Sequence, residues 1–365
     1  MPVTGYTQPF WRTEPHKLDT FQSTPQLPES TDILIIGGGY VGASIAYHLL
    51  KGDANAETPS TVLLEAREAC SVYPAIADRL VGGHLRPDIY SLTSRYAEHY
   101  GMDAAEEVVR FEMAHLNALK DLVQEEAIDS QQGQGFLRQP SSSRHGQWVS
   151  LTGNRRRMSS GFSFPAGQLW PYKLVMRLLE IAVSRGLNLQ TNTLVTDIAQ
   201  RPPHDGGWRV TTSRGTIHAR RVILATNAFT SALAPEGPTF KAAREQWYNN
   251  PDDASLIENA EGFSDGFMQR TFLDWQDSHP SIKHIWTGVM GYSADSLPHV
   301  GEIPGKPGQF IAAGFNGHGM PVGFLVGKAI ADMARYSIAF KATGLPRLYK
   351  PTLARLRPVD DDILN

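Results

Sequence analysis

The chain has one cysteine, Cys70, among 365 residues. A single thiol can neither close an intramolecular disulfide nor supply a cysteine-rich metal site. Long apolar runs are missing as well: none reaches the roughly 18 residues that a bilayer-spanning helix requires. Charge of one sign is not in excess. The formal net charge is −3, which offers no basic face to nucleic acid or to an anionic membrane. The N-terminal stretch MPVTGYTQPFWRTEPHKLD has no basic region followed by an apolar core, so it does not read as a secretory signal. The C-terminal stretch RLRPVDDDILN ends in no peroxisomal or ER-retention signal. The twelve histidines include no H-x-x-x-H pair that would hold zinc on a helix face, so no metal site is expected. No Ser-His-Asp set is recognisable either. What is left is the expectation of a soluble cytoplasmic enzyme that meets small molecules, its oligomeric state open.

The strongest pattern that is present is TDILIIGGGYVGASIAYHLL, from Thr31 to Leu50. Ile33, Leu34, Ile35 and Ile36 do not alternate with polar residues, which suits a parallel strand covered on both faces. Gly37, Gly39 and Gly42 fit G-x-G-x-x-G: the first for a tight turn, the second for close approach of the backbone to a pyrophosphate, the third for close packing of helix on strand. Val41, Ile45, Ala46, Leu49 and Leu50 then recur at helical spacing. The helix start presents free N–H groups and its positive dipole end to phosphate. A second strand, Thr61 to Leu64, ends at Glu65, about 20 residues beyond the last glycine, where a ribose-binding carboxylate is expected. Strand, glycine turn, helix, strand and terminal acid in that order predict a dinucleotide site. They do not decide between FAD and NAD(P).

Further along, the spacing of Val109, Met113, Leu116, Leu119 and Val123 predicts an amphipathic helix from Met102 to Ile128. Residues 130–161 are polar and serine-rich, with the basic run Arg155, Arg156, Arg157, and read as a long solvated loop. A helix from Tyr172 to Ser184 is followed by the strand patterns LNLQTNTLVTDIAQ and GWRVTTSRGTIHARRVILAT. Residues 236–282 are weakly patterned, and a last helix is predicted from Val322 to Tyr336. Two segments bear on the choice of nucleotide. The apolar strand Val222 to Leu224 ends in Ala225, Thr226 and Asn227. A strand at Phe310 to Ala313 leads into a second glycine turn at Gly314, Gly317 and Gly319 and then into the last helix. An NAD(P) dehydrogenase has no need of that second turn.

On these residues the chain resembles the FAD-dependent amine and amino-acid oxidase family, which includes D-amino-acid oxidase, glycine oxidase and sarcosine oxidase, and within it the fungal branch of specialised metabolism. The resemblance rests on three motifs in order: the N-terminal glycine turn, the A-T-N-A strand end, and D-x-x-P-x-x-G (Asp295, Pro298, Gly301) followed by G-x-x-G-x-G (Gly314, Gly317, Gly319). It implies an α/β fold: an FAD-binding Rossmann-like domain of the glutathione-reductase type, with a smaller, shortened antiparallel-sheet substrate domain. The implied organisation is an N-terminal arm at 1–30 lying on the surface, a discontinuous FAD-binding domain at 31–95, 163–235 and 284–345, a substrate or cap domain at 96–162 and 236–283, and a tail at 346–365.

The resemblance also implies the cofactor and its contacts. FAD is expected to bind at Gly37, Gly38, Gly39, Tyr40, Val41 and Gly42, at Glu65, Ala66 and Arg67, at Gly83 and His84, and at Val195, Ala225, Thr226 and Asn227. At the flavin edge the expected contacts are Asp295, Gly314, Asn316, Gly317, His318, Gly319 and Met320. The last helix is expected to aim its N-terminus at the flavin pyrimidine edge, where a helix dipole and N–H groups stabilise negative charge taken up on reduction. The family's covalent flavins use a cysteine in the C-terminal half, so FAD is expected to be noncovalent here. His84, Trp286, Tyr292 and His318 are the candidates for facing substrate. Trp286 is expected on a strand that enters the site. Core packing is the competing reading for the two aromatics.

Two stretches depart from the family pattern. The family loop G-A-T-G-R-N-G-G-H-L is matched at Gly82, Gly83, His84 and Leu85, but a bulkier segment, with Arg79 in place of the loop arginine, precedes it. The stretches that supply the substrate sheet are shortened, and the basic residue that assists oxygen reduction has only Lys241 and Lys283 as candidates by type. Three functions therefore stand side by side: an FAD oxidase or dehydrogenase acting on a C–N bond by hydride transfer to flavin N5, with molecular oxygen as an acceptor; a flavin monooxygenase, which would call for a second nucleotide fingerprint that the sequence lacks; and a catalytically impaired FAD-binding pseudoenzyme.

Overall fold

The computed structural model of the protein describes residues 2, 5–51, 57–71, 83–89, 92–128, 165–202, 206–233, 252–256, 266, 269 and 281–356. Arg79, the Arg155–Arg157 run, the loop at 130–161, Lys241 and most of 236–282 lie outside the described residues.

An eight-stranded sheet organises the chain. Its strands are β1 (Ser30–Ile36), β2 (Thr61–Leu64), β5 (Asn188–Gln190), β6 (Val195–Gln200), β7 (Trp208–Thr212), β8 (Gly215–Leu224), β9 (His299–Glu302) and β10 (Gln309–Ala313). Five of them run parallel in the order β5-β2-β1-β8-β10, with β9 antiparallel at the edge. The antiparallel ribbon β6-β7 joins the first half of β8. A separate two-stranded piece pairs β3 (His84–Leu85) with β4 (Gly167–Gln168).

The unbroken apolar run of β1 has a direct explanation. Ile33 and Ile35 enter one core while Leu34 and Ile36 enter another on the opposite face. Leu63 against Val62 and Leu64, Ile223 against Val222 and Leu224, and Phe310 against Ile311 divide in the same way. One face is covered by helices α1 (Tyr40–Leu50), α3 (Met102–Glu125), α4 (Pro171–Ser184) and α6 (Gly323–Tyr336). The other is covered by Val195, Trp208 and Val210 of the antiparallel ribbon with Ile217 of β8. Short helices α2 (Leu92–Tyr100), α5 (Thr230–Leu233) and α7 (Leu353–Leu356) complete the α-helices of the described residues.

Helices α1 and α6 meet through glycine. A Cβ at Gly323 would stand 2.6 Å from the Tyr40 ring, and one at Gly327 would stand 2.5 Å from Ser44 Cβ. The G-x-x-x-G spacing on α6 therefore brings the two helices to backbone distance behind both glycine turns.

The α/β class and parallel core read from the sequence are those of the fold. Several boundaries differ. The long helix stops at Glu125, where Ala127 turns to φ 49°. The predicted LNLQTNTLVTDIAQ strand is broken into β5 and β6 around Asn192, at φ 52°. The N-terminal arm is more than a surface layer: Trp11 and Leu18 enter the main core. Arg12 is buried with them, donating to the Ala69 carbonyl at 2.7 Å and to Asp19 at 2.8 Å. Residues 281–292 carry no strand, so Trp286 lies on irregular chain, packed against the main core.

Candidate functional site

Strand β1 lies between β2, the next strand in the chain, and β8, which arrives from far along it. Chain order reverses at β1, and in such sheets the crevice at the carboxyl ends of the strands is where ligands bind. A cavity of about 1000 Å³, open mouth included, lies there, lined among others by Ile36, Gly37, Gly39, Leu64, Glu65 and Ala225.

The glycine turn is shaped by close approach. Gly37 has φ 111°, and a Cβ there would meet the Ala225 carbonyl oxygen at 2.5 Å. At Gly42 a Cβ would stand 1.9 Å from the Gly37 carbonyl oxygen. Gly39 is the N-cap of α1, at φ −78°, and lines the cavity. The turn is thus a cradle that side chains would fill, as a pyrophosphate site requires.

Glu65 stands at the end of β2 with its carboxylate already oriented. Oε2 accepts the Gly38 N–H at 2.7 Å and Oε1 accepts the Arg67 N–H at 3.1 Å. Burial pushes its pKa up, and these two N–H groups oppose the shift. The backbone of Glu65 is clamped on both sides, its N–H on the Gln190 carbonyl (3.0 Å) and its carbonyl on the Thr193 N–H (2.8 Å).

Asn227, at φ 44°, holds the C-terminal glycine turn. Its side-chain oxygen accepts the N–H groups of Gly314 (3.0 Å) and Phe315 (3.3 Å). Asn316, at φ 52°, is a second bracket. Its side chain accepts the Ser293 N–H (2.8 Å) and donates to the Gly314 carbonyl (2.5 Å).

Of the residues read from the sequence, the structure brings Gly37, Gly39, Tyr40, Val41, Glu65, Ala66, Val195, Ala225, Thr226 and Asn227 to the cavity wall. Gly38 and Gly42 lie behind it, one on the Glu65 carboxylate and the other against Gly37. Others have different work. The Arg67 guanidinium forms a two-pronged ion pair with Asp253 (3.1 and 2.7 Å) under the Tyr6 ring. Asp295 pairs with Arg355 at 2.5 Å and accepts the Leu297 N–H. Burial works to raise the Asp295 pKa, but the Arg355 guanidinium outweighs it and holds the carboxyl below its usual range. Gly83, at φ 66°, is forced by the Leu169 carbonyl, 1.9 Å from where a Cβ would stand. His84 is an exposed member of β3, and the Tyr292 hydroxyl points to the Met290 sulfur at 3.8 Å.

The C-terminal turn departs from expectation in one respect. From that turn Phe315 reaches the cavity wall; Gly314, Asn316, Gly317, His318, Gly319 and Met320 are not among the lining residues. The N–H of Phe324, in the first turn of α6, is not left open to a ligand: it donates to His115 Nε2 at 3.1 Å. That ring is buried, so its pKa is pushed down to about 3, with the His318 charge adding to the effect. The acceptor role fixes the ring as neutral. His318 Nε2 lies 3.0 Å from Glu112 Oε2.

Sequence reading missed Glu112, His115, Thr193, Phe315, Gly323 and Gly327. Helical periodicity could have flagged the first two, since Glu112 and His115 are polar residues that fall with Phe111 and Leu116 on the apolar stripe of α3. Cys70 also lines the cavity. Burial pushes its thiol pKa well up, and the Glu65 charge adds to this despite the opposing Arg12. The thiol is therefore not poised as a nucleophile. Among the described residues no group of three or more potential ligands is gathered to hold a metal ion, and no helix is long and apolar enough to cross a membrane.

Fold and turn together define a dinucleotide-binding oxidoreductase architecture. A family model described as FAD dependent oxidoreductase matches residues 32–263 and 245–333, and the chain belongs to that family. It is 25% identical to mitochondrial dimethylglycine dehydrogenase from Rattus norvegicus over 389 aligned positions, covering 85% of this chain and 43% of that protein. The chain thus spans less than half the length of that relative. Among solved structures it shares its fold with L-proline dehydrogenase from P. horikoshii (TM-score 0.61, 17% identity, 89% of this chain and 98% of that one). It also shares it with glycine oxidase from Geobacillus kaustophilus (TM-score 0.56, 18% identity, 92% and 98%).

Proposed function

We propose that the protein uses noncovalently bound FAD to oxidise a C–N bond of a small amine, amino acid or amine-bearing metabolite, with molecular oxygen as the acceptor. The observation that carries the reading is the buried Glu65 carboxylate, held by the Gly38 N–H beside a glycine cradle at the switch point of the sheet, in a chain of this family. The names of its relatives, dimethylglycine dehydrogenase, glycine oxidase and L-proline dehydrogenase, all concern amines.

In this reading Gly37, Gly38 and Gly39 and the start of α1 receive the pyrophosphate, and Glu65 receives the ribose hydroxyls. Thr226 and Asn227 flank the cofactor, and Cys70 packs beside the nucleotide without bonding to it. FAD supplies the site that accepts a hydride equivalent. The chain supplies position, a cavity wall that is mostly apolar, and hydrogen-bond donors fixed before the ligand arrives. Asn227 holds the C-terminal turn against the end of β8 and Asn316 ties it to Ser293, so that its backbone is ordered in advance.

The test is a purified, yellow protein. Acid precipitation is expected to release all flavin. Anaerobic addition of a panel of amino acids, N-methyl amino acids and secondary amines is expected to bleach the absorbance with at least one member, and air is expected to restore it with release of peroxide. A flavin-loaded protein bleached by none of the panel overturns the substrate class. Flavin retained on the acid pellet overturns the noncovalent assignment.

A further inference from the structure

Pro2, in the N-terminal arm, lines the same cavity as Glu65, Cys70 and Ser71. Gly5, Tyr6 and Thr7 are tied to segments far away in the chain. Arg67, two residues beyond Glu65, donates from Nη1 to the Gly5 carbonyl at 3.0 Å. The Tyr6 ring faces the Arg67 guanidinium at 5.1 Å and that of Arg12 at 5.8 Å. The Thr7 N–H donates to the Asp253 carbonyl at 2.7 Å. The Thr7 hydroxyl accepts the Thr287 N–H at 2.8 Å and donates to the Thr287 carbonyl at 3.2 Å. The ion pair of Arg67 with Asp253 closes this knot, with 11% of one side chain and 2% of the other exposed. These contacts do little for the core. The buried anchors of the arm come later, at Trp11, Arg12 and Leu18, whereas Gly5 is exposed and Tyr6 and Thr7 are half-buried. What the knot gathers is cavity wall: the end of β2 on one side, and on the other the stretch from Thr287 to Val289, which also lines the cavity.

We infer that Pro2, Gly5, Tyr6 and Thr7 form a clasp on the nucleotide half of the cofactor, holding the wall around Glu65 closed over bound adenosine diphosphate. This rests on the FAD-dependent reading given above. A nucleotide whose ribose meets Glu65 lies against a wall whose members are joined through Thr7, Arg67 and Asp253. That wall must come apart for the ligand to leave, so the clasp slows release more than it speeds capture. It acts on the adenosine and phosphates rather than on the flavin, because its anchor Arg67 follows the ribose carboxylate directly in the chain. ADP, which carries that half alone, therefore engages the clasp, and riboflavin, which lacks adenosine and phosphate, does not. Trp11, Arg12 and Leu18 hold the rest of the arm in the core whether or not the clasp is made, so its opening is local.

Hydrogen exchange of the Thr7 and Thr287 amides in the native apoprotein reads the clasp directly. Saturating ADP is expected to slow both about tenfold, and riboflavin to leave both unchanged. Deletion of residues 2–7 spares the buried anchors. It is expected to release FAD about tenfold faster while the urea midpoint of the apoprotein stays near the native one. Thr7→Val removes the exchange of hydrogen bonds with Thr287 and keeps the Thr7 N–H; it is expected to speed release in the same direction and by less. Equal FAD release from the native, deleted and Thr7→Val chains overturns the inference. So does protection of the two amides by riboflavin as strong as that by ADP. A deletion that lowers the urea midpoint and leaves FAD release unaltered overturns it as well, since these residues would then serve stability alone. Should the deleted chain fail to fold, Thr7→Val and the native exchange measurement decide. A native chain that binds neither FAD nor ADP would overturn the oxidoreductase reading and the clasp together, whereas one that binds both with unchanged exchange at Thr7 and Thr287 overturns the clasp alone.

Discussion

The side-chain oxygen of Asn227 accepts two backbone N–H groups, from Gly314 at 3.0 Å and Phe315 at 3.3 Å. One amide oxygen thereby joins the end of β8 to the turn that follows β10. Truncation would leave both donors without their partner and would place an alanine at φ 44°, a region that asparagine tolerates better. Asn227→Ala is expected to lose about 1–3 kcal/mol of stability and to weaken FAD binding. Asn227→Asp, which keeps the acceptor, is expected to retain most of both. Urea unfolding with a parallel flavin titration makes the comparison, and equal losses in the two variants would show that the bracket is not what the oxygen supplies.

The glycine cradle and the ribose carboxylate should respond differently to substitution. Gly39→Val puts a branched side chain where the pyrophosphate is received, and Gly42→Ala puts a Cβ 1.9 Å from the Gly37 carbonyl oxygen. Both are expected to abolish FAD binding, the second by way of a distorted turn. Glu65→Ala removes hydrogen bonds to a charged group, costing roughly 1.5 to 3 kcal/mol, or about 10- to 150-fold in affinity. Fluorescence titration of the apoproteins reads all three, and a Glu65→Ala loss as complete as that of Gly39→Val would count against the geometry.

Acid should destabilise the protein through its buried histidines. Burial holds both His48 and His115 near 3, against an ordinary value of 6.5, and the Lys328 and Lys51 charges assist at His48. In the folded state neither ring takes up a proton at pH 5, while in the unfolded chain both do. Their contribution is therefore complete above pH 6.5 and is lost as pH falls toward 3, at up to about 1.4 kcal/mol per pH unit for each ring. Melting curves between pH 7.5 and 5 are expected to show this slope, and His115→Gln is expected to flatten it. An unchanged slope in that variant would mean that His115 takes no part in the acid transition.

Much of the fold was legible because its signals are local. Ile33 to Ile36 read as a parallel strand since both faces of β1 are covered, and the glycine spacing announced a turn whose clashes the structure gives in ångströms. Residues on the cavity wall were found where a motif named them, as at Gly39, Glu65 and Asn227. Those that escaped notice depend on contacts between distant segments. Glu112 meets His318 across 206 positions, and Arg67 meets Asp253 across 186. No periodicity encodes such partners. Arg67 sits within the motif region, yet its guanidinium serves the N-terminal arm and Asp253, a use that only the folded chain reveals.

The contact of α1 with α6 through Gly323 and Gly327 makes the chain between the second glycine turn and those glycines a ruler. Each added residue turns a helix by about 100°, so one insertion between Gly319 and Gly323 would rotate both glycines away from Tyr40 and Ser44 and present side chains in their place. The distance from turn to contact is therefore fixed in whole residues, whereas the far end of α6, where Tyr336 is exposed, is held by side chains, Arg221 donating to the Ala334 carbonyl and to Ser337. Length change just before the helix would therefore be felt at the contact of α1 with α6.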